Sequence, residues 1–122
     1  MVLPGADAAD QASVDAVADA TIGCFLRVVP AAVPGVAFLS GGQTSKLASA
    51  HLNAMNVRFR GRMPWALAFS FARAIQQPAL EVWRGQPANV GAAQQALFHR
   101  ADCNRAARRG EYDAGADAPR AA

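Results

Sequence analysis

A chain of 122 residues, 52% hydrophobic and 17% charged, suits one globular domain at most and is shorter than many α/β enzymes. No apolar run reaches the roughly 18–20 residues of a membrane span, and Met1–Gly5 offers no basic leader before Asp7, Asp10, Asp15 and Asp19, so neither a membrane partner nor a signal peptide is expected. The net charge of +3 comes from eleven arginines and a single lysine, Lys46, an excess too mild to support nucleic acid as a partner.

The first element is a helix from Asp10 to about Val29, where Val14, Val17, Ala18, Ile22, Phe25 and Leu26 recur at helical spacing and acidic residues crowd the early turns. Pro30 and Pro34 stop it, and Gly35 opens a turn into a short strand, Val36–Ser40. That strand ends in Ser40-Gly41-Gly42, and a second helix follows over Ser45–Met55. A strand that runs into such a loop and then a helix start presents backbone N–H groups to an anion. Arg58–Arg62 reads as a solvated basic loop. Trp65–Phe71 is almost continuously apolar, as expected of a parallel strand covered on both faces, and it ends in Ala72-Arg73, a fixed cation at a strand end where α/β folds bind ligands. Ala72–Trp83 reads as a helix that Pro78 should kink or interrupt. Gly85-Gln86-Pro87 breaks the chain before a long alanine-rich helix from about Pro87 to Arg108.

The order is thus α–β–α–β–α–α, with a domain over residues 1–109 and a small, polar, flexible tail over 110–122. Two strands make no self-supporting sheet with both faces covered, so the α/β unit is expected to be part of a larger fold. Cys24 and Cys103 stand in no CxxC or Cys/His spacing, which favours reduced thiols in a cytoplasm and no metal site. His51 and His99 lie on helical stretches without partners at metal or triad spacing and are expected in solvated or capping roles. Trp65 and Trp83 are most simply packing residues.

The segments Val33-Pro34-Gly35-Val36-Ala37-Phe38-Leu39-Ser40-Gly41-Gly42-Gln43, Leu52-Asn53-Ala54-Met55-Asn56 and Pro64-Trp65-Ala66-Leu67 with Phe69-Ser70 resemble the C-terminal third of the class I fructose-bisphosphate aldolases. Arg73-Ala74 and Ala92-Ala93-Gln94 continue the match in the same order. The resemblance implies the last two strands, with their helices, of a (β/α)8 TIM barrel that is incomplete as it stands. It implies reversible aldol cleavage of fructose 1,6-bisphosphate, a step of glycolysis and gluconeogenesis that yields dihydroxyacetone phosphate and glyceraldehyde 3-phosphate. The chemistry runs through a lysine Schiff base that serves as electron sink, without metal or other cofactor.

That lysine belongs to a segment whose last two residues match Met1-Val2, so it would lie upstream of Met1. No catalytic residue is therefore expected within the chain, and alone it should be inactive. What the resemblance carries over is the substrate-phosphate site: Ser40, Gly41 and Gly42, with Ser70 and Arg73 on the neighbouring strand end. Ala72 and Phe71 stand where the family usually has glycine and tyrosine, and Thr44–Leu47 replaces an acidic stretch. The implied partners are a sugar-phosphate substrate and, for the intact enzyme, other copies in a homo-tetramer. The alternative is a non-catalytic phosphate- or polyanion-binding module built on the Ser40 loop, Arg73 and the Arg58–Arg62 loop.

Overall fold

The computed structural model describes residues 1–117. Ser13 sets the start of the first helix, α1 (Val14–Val28): its hydroxyl accepts the Ala16 N–H, an N-cap that moves the helix start past the expected Asp10. Asp15 in the first turn and Arg27 in the last complement the dipole. The apolar stripe buries Val17, Ala18 and Ile22.

β1 (Gly35–Phe38) and β2 (Ala66–Phe69) form a two-stranded parallel sheet, with Gly35 opposite Ala66 and Phe38 opposite Phe69. Both strands are shorter than the apolar runs that announce them. Side chains alternate in a strand, so this register puts Val36, Phe38, Leu67 and Phe69 on one face and Gly35, Ala37, Ala66 and Ala68 on the other. The first face packs into the core. The second carries only glycine and alanine, and Ala37 and Ala66 are exposed. Within this chain the helices pack against one face alone, so the cover expected on the second face is not supplied by these residues. Phe25 of α1 stacks on Phe38 at 5.7 Å and meets Trp65 edge-on at 6.2 Å. Trp65 is a packing residue as expected, buried with its indole N–H donating to the Pro30 carbonyl.

α2 (Ser45–Arg58) is the central element and packs against α1, α3 and α4. Thr44 caps it by accepting the Leu47 N–H. Leu52 and Met55 are fully buried, as their place on one helix face predicts. α3 (Arg73–Trp83) runs through Pro78 unbroken. Proline removes one N–H from the helix ladder, but its fixed φ is helical. A 3-10 turn at Pro87–Asn89 leads into α4 (Val90–Arg109). Gly110, at φ 73°, ends α4 by letting the chain turn so that the Gly110 and Glu111 N–H groups reach the Ala107 and Ala106 carbonyls.

Beyond Gly110 the chain returns to the helices. The Tyr112 N–H donates to Asn53 Oδ1, and Asp117 is buried against α4. Composition suggested a flexible tail from residue 110. The small residues there nonetheless deliver one tyrosine and one aspartate to polar partners. Residues 118–122 of that expected tail lie outside the described residues.

Candidate phosphate site and its relatives

The parallel pairing brings the two strand ends side by side: the Ser70 N–H donates to the Phe38 carbonyl at 2.7 Å, which fixes Ser70 beside the start of the Leu39–Gln43 loop. In that loop Gly41 and Gly42 adopt φ 59° and 82°, conformations that cost glycine little and other residues more. A side chain at either would be strained, while the bare backbone leaves room for a ligand. Neither the Gly41 nor the Gly42 N–H has an acceptor among the described residues. Ser40 is buried, whereas Ser70 and Arg73 are exposed.

Arg73 is the first residue of α3, where a cation opposes the helix dipole. It has no carboxylate within ion-pair distance among the described residues. Ala72 at the N-cap offers no side-chain hydrogen bond, so the Arg73 and Ala74 N–H groups also lack acceptors among the described residues. The five residues singled out from sequence thus sit on two adjacent strand ends. The exposed donors there are backbone amides, the Ser70 hydroxyl and one guanidinium, a set suited to a phosphate.

Two residues to which sequence reasoning gave no part in the site, Gln43 and His51, hold the Ser40 loop. The Gln43 amide nitrogen donates to the Ser40 carbonyl at 2.7 Å, which leaves its oxygen to accept from Nδ1 of His51 at 2.6 Å. A carbonyl can only accept, so this chain of bonds fixes the His51 proton on Nδ1. His51 is 1% exposed, not solvated as expected, and its Nε2 is buried without a partner. Burial, and then the nearby chain amino group, lower the His51 pKa.

The unfolded chain therefore takes up a proton near pH 6.5 that the folded chain resists. Stability from this residue is complete above that value and is lost as pH falls through it. The thermal midpoint is expected to drop more between pH 7 and 5 in the native chain than in His51→Gln, and parallel curves would refute this.

The basic loop is differently employed. Arg58 pairs with Asp19 through Nη2 at 2.7 Å and with Asp15 through Nη1 at 3.1 Å. The Arg60 guanidinium donates to the Arg109 carbonyl at 2.8 Å, and Arg62 lies 5.1 Å over the Phe59 ring. All three loop arginines have intramolecular partners.

A second polar cluster ties α2 to α4 and the returning chain. Arg100, 4% exposed, donates through Nη1 to both oxygens of Asp117 at 2.7 and 2.6 Å, and through Nη2 to the Ser45 carbonyl and the Ser49 hydroxyl. Burial pushes the Asp117 carboxyl up, but hydrogen bonds from Tyr112, Arg100 and His99 outweigh it and hold the group well below the usual range. His99 therefore has a carboxylate partner, and Cys103 lies one turn beyond it at 3.6 Å. The expectation of no Cys/His spacing fails here, because positions four apart on a helix share a face.

The family model for fructose-bisphosphate aldolase class I matches residues 1–122. The chain belongs to that family. It is 47% identical to a chloroplastic fructose-bisphosphate aldolase of Oryza sativa over 121 residues, covering 99% of this chain and 30% of the relative. It is 50% identical to a cytoplasmic isozyme of Pisum sativum over 112 residues, covering 92% of this chain and 31% of the relative. Among solved structures it matches fructose-bisphosphate aldolase from Plasmodium falciparum, in complex with TRAP and a small-molecule inhibitor, with a TM-score of 0.86 and 41% identity over 93% of this chain and 32% of that one. The chain thus spans about a third of the length of the curated aldolases it matches. Those relatives include chloroplastic and cytoplasmic proteins alike, and no helix among the described residues is long and apolar enough to cross a membrane.

Proposed function

We propose that this chain supplies the last two strands and the substrate-phosphate subsite of a class I aldolase barrel, which cleaves fructose 1,6-bisphosphate reversibly through a lysine Schiff base. The observation that carries this reading is the pairing of the Ser40–Gly42 amides with the Arg73 end of α3 on neighbouring parallel strands, within a chain of this family. Ser40 and Gly41 hold the phosphate, Gly42 keeps the loop open, and Arg73 clamps from the adjacent strand end beside Ser70. The uncovered glycine–alanine face and the outer edge of each strand, unpaired among the described residues, suit a sheet continued by further strands, since exposed edges are otherwise a liability. The completed enzyme would be a cytoplasmic homo-tetramer acting on a sugar phosphate.

The only lysine, Lys46, is exposed on the first turn of α2, whereas an imine-forming lysine needs a desolvated site or a neighbouring cation to activate it. The electron sink of the reaction is therefore assigned outside these 122 residues, and the chain alone is expected to be inactive. The polyanion-module alternative is weakened because the three loop arginines it adds to the strand-end donors already have intramolecular partners.

The test is a chimera in which this chain replaces the C-terminal third of the Pisum sativum relative. The chimera is expected to cleave fructose 1,6-bisphosphate while the isolated chain does not. A folded but inactive chimera, or cleavage by the chain alone, would overturn the assignment.

A further inference from the structure

α4 carries His99 and Cys103 on one face, and the chain beyond Gly110 brings Asp117 against both. Nε2 of His99 is 2.8 Å from Oδ1 of Asp117 and 3.6 Å from Sγ of Cys103, and that sulfur is 3.5 Å from the same carboxylate oxygen. The three side chains line a cavity of about 640 Å³ shared with Phe98 and Ala106. We propose that His99, Cys103 and Asp117 form a binding site for zinc or a similar thiolate-preferring divalent metal, with a fourth position open to the cavity. This site is separate from the Ser40 loop and stands whatever that loop binds.

The spacing argues for it. A tetrahedral zinc with bonds of about 2.3 Å to sulfur, 2.0 Å to nitrogen and 2.1 Å to oxygen spans about 3.6 Å between sulfur and either light atom, and about 3.4 Å between nitrogen and oxygen. Both sulfur distances already fit. Only the nitrogen–oxygen edge, now closed by a hydrogen bond, must open by roughly 0.6 Å. The donor set is selective as well: thiolate and imidazole suit zinc, whereas calcium and magnesium seek oxygen.

The protons balance simply. The Cys103 S–H bond breaks as the sulfur–metal bond forms, and the proton leaves to solvent. The His99 Nε2–H bond that now donates to Asp117 breaks as well, its proton leaving to solvent while Nδ1 takes one up, which frees the Nε2 lone pair for the ion. The Asp117 carboxylate keeps the Tyr112 hydroxyl at 2.6 Å and Arg100 Nη1 at 2.6 Å on Oδ2, while Oδ1, which now also accepts from Arg100 Nη1 at 2.7 Å, gives up that bond and turns to the ion. The Arg100 charge opposes a cation, and the new thiolate offsets it. Bound metal would fasten the returning chain to α4.

The experiment is a titration of the full chain with cobalt(II), whose thiolate charge-transfer and tetrahedral d–d absorption report the ligands directly, followed by zinc competition. One cobalt per chain with a thiolate band is expected, unchanged in Cys24→Ser and absent in both Cys103→Ser and Cys103→Ala. His99→Gln removes a direct ligand and should weaken binding by more than about tenfold, the lower bound for disturbing an outer partner. Zinc should raise the thermal midpoint of the native chain and not that of Cys103→Ala. No thiolate band in the native chain, a band that survives in Cys103→Ala, or one lost in Cys24→Ser would each overturn the site.

Discussion

Arg100→Met is expected to lower the unfolding free energy by about 3–5 kcal/mol, the usual cost of leaving one member of a buried ion pair uncompensated. Methionine keeps the apolar length of the arginine stem but returns no charge to Asp117, whose side chain is 2% exposed. The Ser45 carbonyl and the Ser49 hydroxyl lose a donor in the same step. Against a total of about 5–15 kcal/mol for an ordinary domain, the loss is a large fraction. The double variant Arg100→Met, Asp117→Asn should recover much of it, because the stranded charge is gone. Urea unfolding of the native chain, Arg100→Met, Asp117→Asn and the double variant gives the coupling directly. A single-variant loss below about 1 kcal/mol, the range of exposed pairs, would mean that the pair is solvated in practice.

Arg73→Ala, made in the chimera with the Pisum sativum relative, should reduce kcat/KM for fructose 1,6-bisphosphate by about 10- to 150-fold. Hydrogen bonds to charged groups contribute about 1.5–3 kcal/mol each, which converts to that range. The argument rests on placement: Arg73 is exposed, has no carboxylate partner among the described residues, and stands at a helix start where its charge is unfavourable without an anion. The loss should nearly vanish for a substrate that lacks the phosphate held by the Ser40 loop. Equal losses on both substrates would remove Arg73 from that role.

What the sequence disclosed was local. Gly-Gly after an apolar run marked the Ser40 loop, because residues tolerant of positive φ suit that turn, and α4 followed from the alanine-rich run after the Gly85-Gln86-Pro87 break. The start of α1 was misplaced because the Ser13 cap outweighs the acidic residues before it. The strands' second face, lined by glycine and alanine alone, stays uncovered within this chain, as expected of a unit that is part of a larger fold. His51, Arg100 and Asp117 were illegible for a different reason. Their partners are set by the fold: His51 meets Gln43 across the turn that starts α2, and Arg100 meets Ser45 and Ser49 of α2, far along the chain. A lone arginine or aspartate in a polar-looking stretch carries no mark of burial until the tertiary contact supplies its partner.

The most direct test of the central claim is an amide-resolved NMR titration of the full chain with fructose 1,6-bisphosphate. Saturable shifts at Gly41, Gly42, Arg73 and Ala74, weakened by Arg73→Ala and absent from Arg58, Arg60 and Arg62, are the result this account predicts. Shifts confined to the three loop arginines, or none at either strand end, would contradict it.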